Sequence, residues 1–462
     1  MNATDLHDLE LTELAVPEQV EAALLFVPEN KMTDRLKLER NILMSCTVAC
    51  TVGSVEASET AQPSPASRRA LTAFGVVAAI TFTASSSAPT PLYRLYQEHL
   101  GLSPLLLTII FAAYAFSLLG ALLTVGSLSD YVGRRPVAFV AVLLNALAMC
   151  MFIEAHSAGA LIAARMVQGL AVGAATTTLG AAILDADRAR GPLFNSITIF
   201  AGLTFGALGA SVLAAYARQP EQLIYVVLLV VLILEALVLW RMPETAERRQ
   251  GALASLRPQV SVPPQVRQTL ARVTPINIAA WALGGFYLSL MPSLVRVATG
   301  LVSPIVGGTV VAAFMGTGAV AVLASRTWPA ERVVVVGIVL LTLGVAVTLA
   351  GVHLQMVSLL LLGTAIAGFG QGCACSGPLR SVLPLAAAGE RAGLLSTFYV
   401  ECYLAFSLPV ILVGLLVPVV GLPISAYIYG AAVLLLAISS LIVMGVSARS
   451  SRLRRATDEA SA

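Results

Sequence analysis

The sequence predicts an all-α membrane protein whose twelve transmembrane helices form two pseudo-symmetric six-helix bundles. Three observations carry that prediction. Of 462 residues, 58% are hydrophobic and 11% charged, whereas a soluble domain averages about 25% charged residues. Apolar windows of membrane-crossing length follow one another from residue 70 to residue 445. One long polar stretch, 242–274, divides them six and six.

The windows are 70–88, 104–125, 137–155, 158–184, 193–217, 223–241, 275–294, 302–324, 333–352, 357–385, 393–417 and 423–445. At 1.5 Å per residue, a run of roughly 20 apolar residues crosses a hydrocarbon core of about 30 Å. Arginines mark the ends in chain order. One set of loops carries Arg68 and Arg69, Arg134 and Arg135, Arg188 and Arg190, Arg241 through Arg272, Arg326 and Arg332, Arg380 and Arg391, and the tail arginines from 449 to 455. The alternate loops carry Arg94, Arg218 and Arg296. Such asymmetry predicts that both termini face the cytoplasm of a cell (inner) membrane.

The expected organisation is a cytoplasmic extension at 1–67, a first bundle at 68–241, a cytoplasmic linker at 242–274, a second bundle at 275–447 and a cytoplasmic tail at 448–462. The extension is acidic up to Glu29 and basic from Lys31 to Arg40. Its apolar stretch 41–55 is too short to span, so it reads as disordered and not as a thirteenth helix. It does not begin like a secretory signal. The six cysteines suggest neither a disulfide framework nor a metal-ligand set, and Cys373-x-Cys375 reads as small packing residues in an apolar helix.

The halves echo each other at a spacing of about 200 residues, as expected of duplicated bundles. Gly169-x3-Gly173 recurs as Gly368-x3-Gly372, and Asp187-Arg-Ala-Arg-Gly191 as Glu390-Arg-Ala-Gly393.

The most informative segment is Gly126-Ser-Leu-Ser-Asp130-Tyr-Val-Gly133-Arg134-Arg135-Pro136 between the second and third spans. Gly126 and Gly133 relieve the backbone where two helix ends crowd. Asp130 offers a carboxylate to a helix N-terminus, and Arg134 and Arg135 offer forks to an acidic partner. The bland alternative is a solvated turn whose arginines only hold topology. The pattern resembles the loop 2–3 signature of the major facilitator superfamily; in the second half, Ser325 to Arg332 is a worn counterpart. Arg165-Met-Val-Gln168-Gly169 in the fourth span is similar to the family's Arg-x-x-Gln-Gly motif.

That resemblance implies the twelve-span fold and alternating-access transport of a small molecule, with no enzymatic activity and no cofactor. It implies that Asp130 caps a second-half helix, in all expectation the eleventh span, when the cytoplasmic side is closed, and that Arg134 pairs with Asp185 or Asp187. Arg165, with Gln168, becomes a candidate for proton coupling or substrate holding; the alternative is a structural arginine bonded to helix carbonyls or snorkelling outward. Its position in the second half is taken by Thr364. Glu401, read as near mid-depth in the eleventh span, is the candidate proton carrier, against a structural pairing. Glu235 in the sixth span reads as snorkelling toward the nearby helix end.

The hydroxyls of the first span (Thr81, Thr83, Ser85, Ser86, Ser87) either contact substrate or bond back to their helix. Gly202-x3-Gly206-x2-Gly209 permits close packing in the fifth span, but the Gly-Pro pair of the family's antiporter motif is absent, since Ala207 follows Gly206. The leading expectation is a monomeric, proton-coupled exporter of a small organic molecule in the lipid bilayer. Uptake symport of a metabolite is the alternative, a non-transporting membrane sensor a more distant one, and nothing suggests nucleic acid as a partner.

Overall fold

The computed structural model describes residues 65–301 and 303–460. Most of the expected amino-terminal extension, with Cys46 and Cys50, lies outside the described residues. Among these, twelve long helices follow the apolar windows: α1 (Pro65–Ser87), α2 (Pro104–Thr124), α3 (Arg134–Ile153), α4 (Ala158–Ala186), α5 (Gly191–Tyr216), α6 (Leu223–Leu239), α7 (Pro264–Ser289), α8 (Pro304–Ala324), α9 (Ala330–His353), α10 (Val357–Val382), α11 (Arg391–Val420) and α12 (Leu422–Ala460). Ten have the length and apolarity of a membrane span. The eleventh is α7 taken together with Met291–Thr299, beyond a 65° bend. The twelfth, α6, has 17 residues, about 25 Å of helix.

Helix starts follow local chemistry. Ser103 accepts the N–H of Leu106 at 3.2 Å to cap α2, and Pro104 occupies the first turn, where no intrahelical N–H is needed. Ser157 caps α4 through Ala160 N–H at 3.2 Å. The start of α7 differs from expectation. The apolar window opens at Pro275, whereas the helix begins at Pro264 and carries Pro275 inside it. Apolarity reports where lipid begins, and the polar turns holding Arg267 and Arg272 precede it, so part of the expected linker is helix.

In the first half α4 packs on α1, α2 and α3, while α1 also packs on α5 and α6, and α3 on α6. In the second half α10 packs on α7, α8 and α9, and α12 on α7, α9 and α11. The internal repeat is visible atom by atom. Gly169 lies against the Tyr114 carbonyl and Ser117 of α2, and Gly173 against the Leu118 carbonyl and Ala121. In the second half Gly368 lies against the Phe314 carbonyl and Thr317 of α8, and Gly372 against the Gly318 carbonyl and Ala321. The halves meet along α2 with α11 and α5 with α8. There Gly414 faces Thr108 and Gly308 faces Ser211.

The closest pair is α9 with α10. Gly337, Gly344 and Gly351 recur every seventh residue on α9 and face Ala374, Ala367 and Leu360. Gly363, Gly370 and Gly377 recur likewise on α10 and face Thr348, Leu341 and Val334. Contact is backbone to backbone, the geometry small residues permit in membranes.

A side chain at this seam has nowhere to go, whereas Gly209 has open space around its missing Cβ. Gly370→Leu is therefore expected to abolish the monodisperse peak in detergent gel filtration and Gly209→Leu to retain it; overpacking alone costs about 1 to 3 kcal/mol or more.

Candidate functional site

Arg165 sits in the second turn of α4 and is 1% exposed. Its Nε donates to the Tyr93 hydroxyl at 3.0 Å, its Nη1 to the Ser86 carbonyl at 2.9 Å and to Gln168 Oε1 at 2.7 Å, and its Nη2 also to Tyr93. Gln168 in turn donates to the Ser85 carbonyl at 2.8 Å. The guanidinium lies 5.5 Å from the Tyr93 ring centroid and 5.1 Å from that of Tyr114. Three neutral acceptors and two aromatic faces thus hold a buried cation, and it does not snorkel. In the second half the corresponding Thr364 bonds the Tyr287 hydroxyl at 3.1 Å. Both halves keep a tyrosine at this place; only the first keeps a charge.

Glu401 is the eleventh residue of the 30-residue α11, about 15 Å along it at 1.5 Å per residue. Its carboxyl accepts from Thr274 Oγ1 and Asn277 Nδ2 of α7, both at 2.9 Å. Asn277 Nδ2 also reaches Cys402 Sγ at 3.3 Å.

Aromatic rings join the two charged sites. Trp281, one turn beyond Asn277, packs on Tyr403 at 5.2 Å and Phe406 at 5.9 Å. Phe406 meets Phe111 of α2 at 4.9 Å across the halves, and Tyr114 beside Arg165 follows one turn later. The Trp281 indole nitrogen and the Gln371 Oε1 are buried without a hydrogen-bond partner among the described residues. Tyr93, Tyr114, Trp281, Gln371 and Phe406 were not singled out from sequence, since aromatic and amide residues in apolar helices carry no local signal of which way they face.

The turn at 126–136 is built around Arg134. Its guanidinium pairs with Asp130, with Asp185 Oδ2 at 3.3 Å and with Ser129 Oγ at 2.7 Å. Asp187 instead accepts the N–H groups of Ala189 at 3.1 Å and Arg190 at 2.9 Å, shaping the entry to α5. Asp130 is half exposed, and its ion pair is with Arg134 of its own turn and not with α11. The N-terminus of α3 is capped by Glu244 of the linker, which accepts from Arg134 N at 2.8 Å and Arg135 N at 3.0 Å. Arg135 donates to the Trp240 carbonyl and lies 5.3 Å over its ring. Gly133 has φ 110°, and a Cβ there would meet the Glu244 carboxyl, so glycine is required twice over. Gly126 is crowded by the Leu122 carbonyl one turn back.

In the second half the corresponding turn is held with opposite polarity: Arg380 at the end of α10 donates to the Ser325 carbonyl at 3.1 Å and the Trp328 carbonyl at 2.6 Å. The linker ties both halves. Ser255 O accepts from Ser127 Oγ at 3.1 Å, and Ser261 N donates to Gly393 O of α11 at 3.2 Å.

Each of the five hydroxyls of α1 donates to a carbonyl three or four residues back. Gly202 and Gly206 of α5 receive α1 closely, at Thr83 and Ser87. Glu235 does not snorkel: it is 5% exposed and turned into the bundle, because the buried face of α6 runs through that position.

Comparison with known proteins adds the following. The sequence profile of the Major Facilitator Superfamily matches residues 74–403. The chain is 30% identical over 131 residues to the multidrug resistance protein MdtL of Klebsiella pneumoniae (strain 342), covering 27% of this chain and 33% of that one. It therefore spans about a third of the length of the curated relatives it matches. Three solved structures share its fold: the human organic anion transporter MFSD10 (TM-score 0.60, 17% identity, 82% of this chain and 100% of that one), the nucleoside transporter NupG (0.61, 12%, 81% and 99%) and the xylose transporter XylE from E. coli in a partially occluded inward-open conformation (0.62, 15%, 81% and 97%). At these identities the likeness is one of fold.

Tyr93→Phe removes the hydroxyl that accepts from both Nε and Nη2 of a buried cation and is expected to cost about 1.5 to 3 kcal/mol or more. A lowered thermal midpoint in detergent would register it, with Arg165→Ala lowering the midpoint further because it strands three acceptors.

Proposed function

This chain belongs to the Major Facilitator Superfamily, a family of multi-pass membrane transporters, and from that premise we propose that it exports a small organic molecule in exchange for protons by alternating access. The observation that carries the reading is a pair of opposite charges set deep in different halves, Arg165 in α4 and Glu401 in α11, joined by an aromatic path and not paired with each other. A carboxyl held by two neutral donors can take up or lose a proton without breaking an ion pair. The unpartnered Trp281 N–H and Gln371 Oε1 supply one donor and one acceptor to a flat substrate stacked among Trp281, Phe406 and Phe111. The name of the MdtL relative favours export over uptake.

The basic face, with both termini, is placed in the cytoplasm. On the opposite face Thr90 Oγ1 donates to Leu288 O at 2.9 Å, and Arg296 meets Glu98 at 2.8 Å, joining the halves there. These two contacts support a conformation closed to the outside. Asp130, paired with Arg134 here, docks on the α11 N-terminus when the cytoplasmic side closes, while Arg134 and Asp185 keep α3 and α4 moving as one body. Gly126, Gly133, Arg135 and Asp187 shape this latch. The protein acts as a monomer, since each half completes the other's site.

In inside-out vesicles with an imposed proton gradient, the wild type is expected to accumulate a flat organic probe such as ethidium; uptake only into right-side-out vesicles would instead establish import. Glu401→Gln should lower gradient-driven accumulation about 5- to 150-fold, the range of ordinary coupling free energies, while leaving probe binding intact. Undiminished accumulation in E401Q would remove Glu401 from the coupling. Asp130→Asn should slow turnover about two- to fivefold, as expected for loss of an exposed charge contact, with unchanged binding.

A further inference from the structure

We propose that Glu235 is a second proton-binding site of this transporter, protonated in the conformation described here. The observation is geometric. Tyr225, Leu228, Leu232, Glu235 and Leu239 follow one another at alternating spacings of three and four, and all are buried, so Glu235 stands in the apolar seam of α6. Its lipid-side neighbours Leu234 and Leu237 are exposed. Both carboxyl oxygens are buried, and neither has a hydrogen-bond partner of good geometry among the described residues.

The helices packed on α6 are α1, α3 and α5. Their titratable side chains are Arg68 and Arg69 of α1, Arg134, Arg135 and Cys150 of α3, and Tyr216 of α5, all near helix ends, and none forms an ion pair with Glu235 among the described residues. The polar group that faces the carboxyl is Thr81 of α1. Thr81 Oγ1 already donates its proton to the Val77 carbonyl at 3.2 Å. The hydroxyl is thus shared with its own helix, and an ionised Glu235 here would be buried with no counter-charge among the described residues, the arrangement proteins avoid by neutralising the group.

A row of polar groups leads away from it. Ser85, one turn after Thr81 on the same face of α1, bonds Asn145 of α3 at 3.1 Å. The Ser85 carbonyl accepts from Gln168, which accepts from Arg165. One end of the row is an acid without a base, the other a cation without an anion. Removing the proton from Glu235 would place the missing negative charge in the same half as Arg165, so the loading of one sets the field at the other.

The proposal rests on the transport reading for its purpose, and its chemistry is tested without transport. Infrared spectra of the purified protein in lipid nanodiscs, wild type minus Glu235→Gln, should contain the carbonyl stretch of a protonated carboxylic acid at neutral pH. The band should fade as pH rises and persist in Glu401→Gln. Absence of the band, or a band unchanged up to the alkaline limit of folding, would overturn the proposal; the latter describes a permanently neutral structural acid. Should E235Q fail to assemble, wild-type protein treated with the apolar reagent dicyclohexylcarbodiimide gives the same reading by peptide mass spectrometry. An adduct on Glu235 that declines with rising pH is expected, and no adduct or a pH-independent one refutes it. If the infrared band behaves as expected while vesicles show no proton-driven flux, Glu235 stands as a proton site and the export reading falls.

Discussion

Everything in this molecule depends on helices that touch through their backbones. In a bilayer, apolar side chains gain little by meeting one another rather than lipid, so close approach and interhelical hydrogen bonding must supply the cohesion. Gly169 and Gly173 let α4 settle on α2, Gly368 and Gly372 repeat that contact between α10 and α8, and six glycines at sevenfold spacing close α9 on α10. Only where the backbones come this near can a short polar side chain reach across, and the buried contacts of α1 with α5, such as Thr83 Oγ1 to the Thr198 carbonyl at 3.2 Å, follow from it.

The two halves share this scaffold and differ in the charge it carries. Tyr93 and Tyr287 occupy comparable places, yet the first bonds a guanidinium and the second a threonine hydroxyl. In the second half the acid Glu401 is held from α7 by neutral donors and forms no ion pair among the described residues. Charge is thus divided between bundles whose relative position changes during transport. Between them run the rings of Tyr114, Phe111, Phe406 and Trp281, contributed by both halves.

Much of this was legible in the sequence, for reasons that also explain what was missed. The succession of apolar helices and the repeat are properties of apolarity and small-residue spacing, which the chain displays linearly. The turn at 126–136 was legible because charges between two spans have few places to go. Direction was not. Glu235 reads as snorkelling if only its distance from the helix end is considered, but the face it shares with Leu228, Leu232 and Leu239 decides otherwise. Glu244 could not be picked from a linker rich in charges, since its role as the cap of α3 depends on where the linker folds back. The start of α7 was placed too late because a helix can begin well before the lipid does.

The cap supplied by Glu244 has a consequence for the history of the fold. The amino end of α3 is satisfied by a residue from the segment that joins the halves, and such a segment occurs once in the chain. Its counterpart turn is satisfied from within its own bundle, by Arg380. Two copies of the first half joined in tandem would therefore leave one α3 terminus bare, and two copies of the second would lack the buried arginine. Whatever symmetric ancestor gave rise to the repeat, the present halves have specialised past the point where either could stand in for the other.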